Sequence, residues 1–133
     1  MTATASPSTA AVAQELVNLC RKGRNLDAVN KLYSPKIVSI ESSGGPDMPA
    51  EMTGIDAIRG KHQWWEDNNE VHSMEVNGPF TGEGQFAVQY TFDTTFKPTG
   101  DRKSMTEMAL YTVKDGKIVR EQFFYNPSNQ PIE

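Results

Sequence analysis

The N-terminal half of the chain places apolar residues at helical spacing in three separate segments. In the first segment, one face carries Val12, Leu16, Leu19 and Cys20. This spacing predicts an amphipathic helix that starts near Ala10 and ends before Gly23, a residue suited to the left-handed position after a helix. Cys20 is therefore expected to lie on the buried face.

Two further helices are predicted before the chain changes pattern. Asn25 is predicted to cap the second helix and Pro35 to stop it. Its apolar face carries Leu26, Val29, Leu32 and Tyr33. Thr53 and Asp56 resemble a capping box for the third helix, which runs to about Asn68. The inward face of this third helix carries Ile55, Ile58, His62 and Trp65.

The other segments alternate apolar and polar residues, which is typical of strands with one buried face. A short strand is predicted at 36–41, and the Gly- and Pro-containing loop at 42–54 is expected to border a cavity. Four longer strands are predicted at 70–77, 85–96, 105–113 and 118–125. Helices followed by an antiparallel meander indicate an α+β fold, which we assign to residues 10–126. Residues 1–9 are expected to be disordered, and 127–133 to form a tail.

The last two strands are joined by Asp115 and Gly116, a pair suited to a two-residue type I′ turn. Such a turn would pair Lys114 with Lys117 and fix which side chains share a face. The face beneath the helices would carry Met108, Leu110, Glu121, Phe123 and Tyr125. The preceding strand would add Phe86, Val88, Tyr90 and Phe92 to it, and His72 would join through its alternation with Met74 and Val76.

The opposite face of the sheet is predicted to carry Arg120, Gln122 and Phe124 together with Glu107, Ala109 and Tyr111. A symmetric loop at 97–102 would place Asp93 opposite Glu107, with Arg120 neutralising both carboxylates. This mixed surface is expected to be a subunit interface. A bulge or a one-residue slip would reverse the assignment of faces.

Composition excludes several classes of function. The 133 residues make one domain, and the net charge of −4 disfavours a nucleic-acid partner. One cysteine cannot form an internal disulfide, and the chain has no apolar run long enough to span a membrane, so we expect a cytoplasmic protein with no membrane contact. The absence of metal-binding, nucleotide-binding and nucleophile-elbow motifs predicts neither a metal nor any other cofactor.

Three segments together resemble the SnoaL-like branch of the nuclear transport factor 2-like superfamily. They are "LDAVNKLYSPKIVSIES", "TGIDAIRGKHQWW" and "YTVKDGKIVREQFFYN", and the similarity spans roughly residues 11–126. The resemblance implies an α+β cone, in which a strongly curved antiparallel sheet wraps around the N-terminal helices and leaves an internal pocket. It also implies dimers that pack through their sheets. Its members include polyketide cyclases, ketosteroid isomerases and dehydratases, as well as binding or accessory domains.

The resemblance also indicates positions for a site. Ketosteroid isomerases use a carboxylate base after the first strand, and alignment places Glu41 there. Their donor aspartic acid aligns with Met108 and their helix-one tyrosine with Leu16, so both oxyanion donors are missing. Loss of one such donor costs about 3 kcal/mol of transition-state stabilisation, which argues against ordinary steroid isomerisation. The same alignment implies that Glu121, Phe123 and Tyr125 line the pocket.

The candidate catalytic residues are Glu41, Glu121, His62 and His72. Glu121 in an apolar pocket would have a raised pKa, although a tyrosine or an arginine could instead satisfy it. Glu41 could be a base or a solvated carboxylate at a strand end. Either histidine could shuttle a proton or be a hydrogen-bonded core residue. The candidate ligand-binding residues are Trp65, Tyr90, Phe92, Met108, Phe123 and Tyr125.

Two hypotheses follow from the sequence. In the first, a homodimeric, cofactor-free isomerase, cyclase or dehydratase acts on a small hydrophobic carbonyl compound. Glu41 or Glu121 would be the base, and His72, His62 or Tyr125 the donor. In the second, the missing oxyanion donors indicate a non-catalytic ligand-binding or accessory domain.

Overall fold

A computed structural model describes residues 6–44 and 49–126 of the chain. Its three helices are α1 (Thr9–Arg21), α2 (Asn25–Leu32) and α3 (Ile55–Asn68). Its six strands are β1 (Tyr33–Ile40), β2 (Glu51–Thr53), β3 (Asn69–Thr81), β4 (Gln85–Phe96), β5 (Asp101–Lys114) and β6 (Lys117–Phe124). None of the helices in these ranges is long and apolar enough to cross a membrane.

The strands form one curved, unclosed sheet in the order β2-β1-β6-β5-β4-β3, and the predicted α+β cone is confirmed. The sheet is mixed, because β1 runs parallel to β6 while the other neighbouring strands are antiparallel. Helix α1 packs against α2 and lies across β3 and β4. The core between helices and sheet includes Val12, Leu16, Val29, Ile58, Phe86 and Val88. Strands β3 to β6 form the predicted antiparallel meander, and β1 extends it by a parallel pairing with β6.

The helix boundaries agree with the apolar pattern, but two predicted caps are wrong. Ser8 caps α1 through a hydrogen bond from the backbone of Ala11, 3.1 Å long. Asn25 is the first residue of α2 rather than its cap. Thr53 belongs to β2, and Gly54, with a φ of 99°, precedes α3 in place of a capping side chain.

Two predicted segments lie partly or wholly outside the described residues. The loop at 42–54 contains the unpredicted strand β2, whose Thr53 pairs with Val38, and residues 45–48 of it are not described. Residues 1–5 and the predicted tail at 127–133 also lie outside the described ranges.

The hairpin of β5 and β6 begins as predicted. Asp115 and Gly116 have φ values of 52° and 75°, as a type I′ turn requires, and Lys114 pairs with Lys117. The register then shifts, because Val119 is an extra residue on β6 and Thr112 pairs with Arg120. Beyond this bulge, the β5 residues lie on the opposite face of the sheet from the one predicted.

Because of the bulge, the predicted faces of β5 are wrong. Tyr111 pairs with Glu121 and Ala109 with Phe123, and these four side chains point toward the helices. The prediction that Met108 faces the pocket is wrong. Its side chain lies on the outer face and is 40% exposed.

The turn between β4 and β5 is shorter than predicted, so the predicted pairing of Asp93 with Glu107 is wrong. It spans only residues 97–100, so Phe96 pairs with Asp101, Asp93 pairs with Ser104, and Glu107 lies opposite Tyr90. Glu107 is therefore on the inner face, and Asp93 is bound by Arg102 at 2.8 Å. The predicted cluster of Asp93, Glu107 and Arg120 does not form.

A bulge in β3 explains the position of His72. It is an extra residue between Val71, which pairs with Thr94, and Ser73, which pairs with Asp93. Its side chain is exposed and forms a 2.6 Å hydrogen bond with Thr95 Oγ1. The prediction that His72 faces inward is wrong, because the alternation of Met74 and Val76 is interrupted before it reaches this residue.

Candidate functional site

A cavity of about 150 Å³ lies between the inner face of the sheet and the helices. Its walls are mainly apolar, with Trp65, Phe92 and Phe123 among the largest side chains. The Trp65 and Phe92 ring centroids are 5.7 Å apart. Three glutamates, one lysine and one histidine also line it: Glu41, Glu107, Glu121, Lys61 and His62. Such a concentration of titratable side chains in a small apolar cavity is typical of a functional site.

Glu121 is fully buried and held by two hydroxyl groups. Tyr33 on β1 donates a hydrogen bond to its Oε1, and Ser39 Oγ donates to its Oε2 at 2.7 Å. The pKa of Glu121 is raised overall, because removal from water outweighs the lowering by Lys61 and the two hydroxyl donors. The parallel pairing of β1 with β6 places Ser39 directly beside Glu121. Glu121 therefore has little free hydrogen-bonding capacity.

Lys61 connects Glu121 to a second carboxylate. Its Nζ donates to Ser39 Oγ at 2.6 Å and to Glu41 Oε2 at 2.9 Å, and lies 3.8 Å from Glu121 Oε2. The side chains of Lys61 and Glu41 are 15% and 22% exposed, so the pair is largely shielded from solvent. Tyr125 donates to Glu41 Oε1 at 3.1 Å, and burial raises the pKa of this tyrosine to about 12.

Glu107 differs from the other two carboxyl groups. Among the described residues, no hydrogen-bond donor or cation is within bonding distance of its carboxyl oxygens. Desolvation raises the pKa of Glu107 to about 8, helped by the negative charges of Glu41 and Glu121 and opposed by Lys61. At neutral pH this side chain is mostly a neutral carboxylic acid.

His62 lines the same cavity and is mostly neutral. Burial, together with the charge of Lys61, lowers the pKa of His62 to about 4. A neutral imidazole offers one hydrogen-bond donor and one acceptor. His62 can therefore orient a ligand at neutral pH without adding a charge to the pocket.

A cluster of tyrosine hydroxyl groups also lines the cavity. The hydroxyl groups of Tyr90 and Tyr111 are 2.7 Å apart, and Cys20 Sγ lies 3.9 Å from Tyr90. Burial raises the pKa of both tyrosines and raises that of Cys20 to about 11. These groups stay protonated, and Cys20 is not a thiolate nucleophile at neutral pH.

The structure brings most of the predicted site residues together. The residues that line the cavity are Glu41, His62, Trp65, Tyr90, Phe92, Glu121 and Phe123. Tyr125 contacts the cavity residue Glu41, whereas Met108 and His72 lie elsewhere.

The sequence interpretation missed Lys61, Glu107, Tyr33 and Ser39. Lys61 could have been found, because it is three residues after Ile58 and four before Trp65, on the same helical face. Glu107 could not have been found by counting alternation, because the bulge at Val119 lies between it and the turn used as the reference.

Within residues 6–44 and 49–126, no three side chains of histidine, cysteine, aspartate or glutamate are arranged to hold a metal ion.

Comparison with known proteins identifies one family. The model of the SnoaL-like domain matches residues 7–125, and a comparison with curated proteins gave no significant match. A crystal structure of a SnoaL-like protein from Mesorhizobium loti, provisionally described as a polyketide cyclase, is 42% identical. The alignment covers 90% of this chain and all of that one, with a TM-score of 0.85.

Two more distant structures share the fold. An NTF2-like protein from Burkholderia thailandensis is 15% identical, with a TM-score of 0.78 over 94% of this chain and 99% of that chain. A cystatin-like protein of unknown function from Xanthomonas campestris is 13% identical, with a TM-score of 0.75 over 92% and 95% of the two chains.

Proposed function

The chain belongs to the SnoaL-like family, and we propose that it catalyses cofactor-independent proton transfer on a small hydrophobic carbonyl compound. The observation that supports this proposal best is the state of Glu107. A mostly neutral carboxylic acid, without a bonding partner among the described residues, faces the same cavity as Glu41, whose carboxyl group is paired with Lys61. Two carboxyl groups in such different environments are the arrangement that acid and base chemistry requires.

Each of the two carboxyl groups would have one role. Glu41 would remove a proton from the carbon next to the carbonyl group, and Glu107 would donate its proton to the carbonyl oxygen. The electron pair of the C–H bond forms the C=C bond of the enol, and the C=O π electrons move to oxygen. Return of the proton from Glu41 to a different carbon of a conjugated enol, while Glu107 recovers the proton from oxygen, completes an isomerisation. Glu107 thereby supplies the oxyanion donor that the alignment at Met108 lacks.

The other polar residues would hold this pair in position. Lys61 and Tyr125 fix the two oxygens of Glu41, and Ser39 and Glu121 fix Lys61. His62 would bind or orient the ligand, because a group with a pKa of about 4 is a weak base at neutral pH. Trp65, Phe92 and Phe123 would contact its apolar part.

Hydrogen–deuterium exchange tests the proposal without knowledge of the natural substrate. A panel of small ketones is incubated with the protein in D₂O, and loss of the α-proton signal is followed by NMR. We expect exchange above the protein-free rate for at least one ketone. Glu107→Gln keeps a hydrogen-bond donor but cannot transfer a proton, so it should reduce this exchange by about 10²-fold or more, the range for loss of a general acid.

The matched control is Glu75→Gln, since Glu75 is an exposed residue of β3 outside the cavity. It should exchange as fast as the wild type. Ketones that bind without any catalysed exchange, or a Glu107→Gln variant with full exchange, would refute the proton-transfer role.

A second candidate function is ligand binding without turnover. Both oxygens of Glu41 already accept hydrogen bonds, from Lys61 and Tyr125, which leaves this carboxylate less free to act as a base. Binding of a ketone at the cavity together with exchange at the protein-free rate would favour this candidate.

We further propose that the protein is a homodimer through the outer face of the sheet. Met108 and Phe124 are directly paired across β5 and β6, and they are 40% and 48% exposed. Exposed large apolar side chains grouped on one sheet face are common at protein interfaces.

A further inference from the structure

Two polar side chains on opposite walls of the cavity have no bonding partner. Glu107 lies on β5 and His62 on α3, and both line the cavity. Within residues 6–44 and 49–126, neither the Glu107 carboxyl group nor the His62 ring takes part in a hydrogen bond or an ion pair. Other carboxyl and hydroxyl groups of the cavity are paired with protein groups, namely those of Tyr33, Glu41, Tyr90, Tyr111 and Glu121. Glu107 and His62 are therefore available to a ligand.

The unpaired atoms of both side chains are within reach of a ligand. Both residues are half-buried, and neither belongs to the unpaired polar groups that are fully buried among the described residues, so their polar atoms keep accessible surface. His62 faces inward, because Ile58 four residues before it is fully buried and Trp65 three residues after it lines the cavity. Glu107 faces inward because it is paired with Tyr90, a buried residue of the inner face.

The chemistry of each group defines what it would bind. The Glu107 carboxylic acid can donate to a carbonyl oxygen, as the proposed function requires. The neutral His62 ring has one donor nitrogen and one acceptor nitrogen. A hydroxyl group can donate to the acceptor or accept from the donor, so it suits either tautomer of the ring. A carboxylate or an ammonium group would lose its hydration on entering the apolar cavity, which disfavours a charged group there.

We propose that the ligand is a neutral hydroxy ketone that spans the cavity, with its carbonyl oxygen at Glu107 and its hydroxyl group at His62. Trp65, Phe92 and Phe123 would contact the apolar part between these two groups. An apolar protein cavity of about 150 Å³ can bind benzene, so the volume of about 150 Å³ here suits a single ring. This inference deepens the proposed function and rests on it for the carbonyl end. It makes His62 a residue that selects the substrate.

Acetophenones with one ring substituent test the contact with His62, because a hydroxyl and a methyl substituent have nearly the same size. The meta- and para-hydroxy compounds are compared with the meta- and para-methyl compounds by NMR titration of the full-length protein at about pH 6.5, where a phenolic hydroxyl keeps its proton. At least one hydroxy compound should bind roughly five- to tenfold more tightly than its methyl partner, the range for one neutral hydrogen bond. His62→Phe should lose this preference, and His62→Gln should retain it, because the glutamine amide also has a donor and an acceptor.

His72→Phe is the matched control, because His72 is the other histidine of the chain and lies exposed on β3. It should keep the preference of the wild type for the hydroxy compound. Wild-type protein that binds neither hydroxy compound more tightly than its methyl partner would overturn the inference. An unchanged preference in His62→Phe would overturn it as well.

NMR spectra of the wild type decide the matter if His62→Phe does not fold. Nuclear Overhauser contacts should connect the bound hydroxy compound with the His62 ring, and the His72 signals should not shift. A tightly bound hydroxy compound without contacts to His62 would have its hydroxyl elsewhere, contrary to the proposal. None of these measurements requires enolisation, so failure of the ketone exchange experiment would leave them intact. Catalysed exchange without a preference for the hydroxyl group would overturn only this inference.

Discussion

Glu107 and His62 give opposite pH dependences to the stability of the same pocket. Between pH 4.5 and about 8, folded Glu107 keeps a proton that the unfolded chain has lost, so the free energy of unfolding falls as pH rises. Between about pH 4 and 6.5, unfolded His62 holds a proton that the folded state lacks, so the free energy of unfolding falls as pH drops. Of these two residues, only Glu107 makes the free energy of unfolding depend on pH between pH 6.5 and 8.

This window predicts a measurable loss of stability. From pH 6.5 to 8, the wild type should lose roughly 1–2 kcal/mol of unfolding free energy through Glu107, since each pH unit contributes up to about 1.4 kcal/mol. Glu107→Gln should reduce this slope, and Glu75→Gln should keep it. Urea unfolding at four pH values measures the slopes, and equal slopes for wild type and Glu107→Gln would contradict the raised pKa.

At the scale of residues, the sequence predicts several pocket positions but not their chemical states. Glu41 and Glu121 line the cavity as expected, yet Tyr33, Ser39 and Lys61 determine how available each carboxylate is. Each of these three residues is 20 or more positions along the chain from the carboxylate it contacts. Alternation within one strand contains no information about such long-range contacts.

At the scale of elements, helices and turns were more predictable than strand registers. The Asp115–Gly116 pair specified its turn because both positions need a positive φ. The extra residues Val119 and His72 have no comparable signal, since a bulge accepts most residue types. One bulge was enough to move Glu107 into the pocket and Met108 out of it.

The turn also supports a prediction about its contact with the N-terminal segment. A Cβ atom at Gly116 would lie 2.6 Å from Pro7 Cδ, whereas one at Gly100 would have no neighbour within 4 Å. The two glycines have φ values of 75° and 76°, so alanine is equally strained at both. Gly100→Ala should cost about 1–2 kcal/mol, and Gly116→Ala at least about 1 kcal/mol more.

Urea unfolding of both alanine variants gives the comparison directly. Equal losses of unfolding free energy would contradict the close approach of Pro7 to the turn.

At the scale of the whole molecule, the resemblance in three segments correctly indicated the cone, because that inference needs only the order and packing of elements. The parallel pairing of β1 with β6 was not expected, and it places Ser39 beside Glu121. The pocket thus depends on a pairing that the strand pattern alone does not specify.

The exposed apolar residues on the outer face of the sheet predict a homodimer. The wild type should have twice the 14.8 kDa mass of one chain by light scattering, and Phe124→Lys should shift it toward the monomer. Trp64→Lys, a change at a 47% exposed aromatic residue of α3, should remain dimeric. A monomeric wild type, or a Phe124→Lys variant that stays dimeric, would contradict the proposed interface.

The pH profile of ketone exchange in D₂O tests proton transfer by Glu107 most directly. Because Glu107 would act in its neutral form, exchange by the wild type should decrease as pH rises through about 8. Glu107→Gln should show slow exchange without this decrease. A wild-type rate that stays constant through pH 8, or the same decrease in Glu107→Gln, would contradict the role assigned to Glu107.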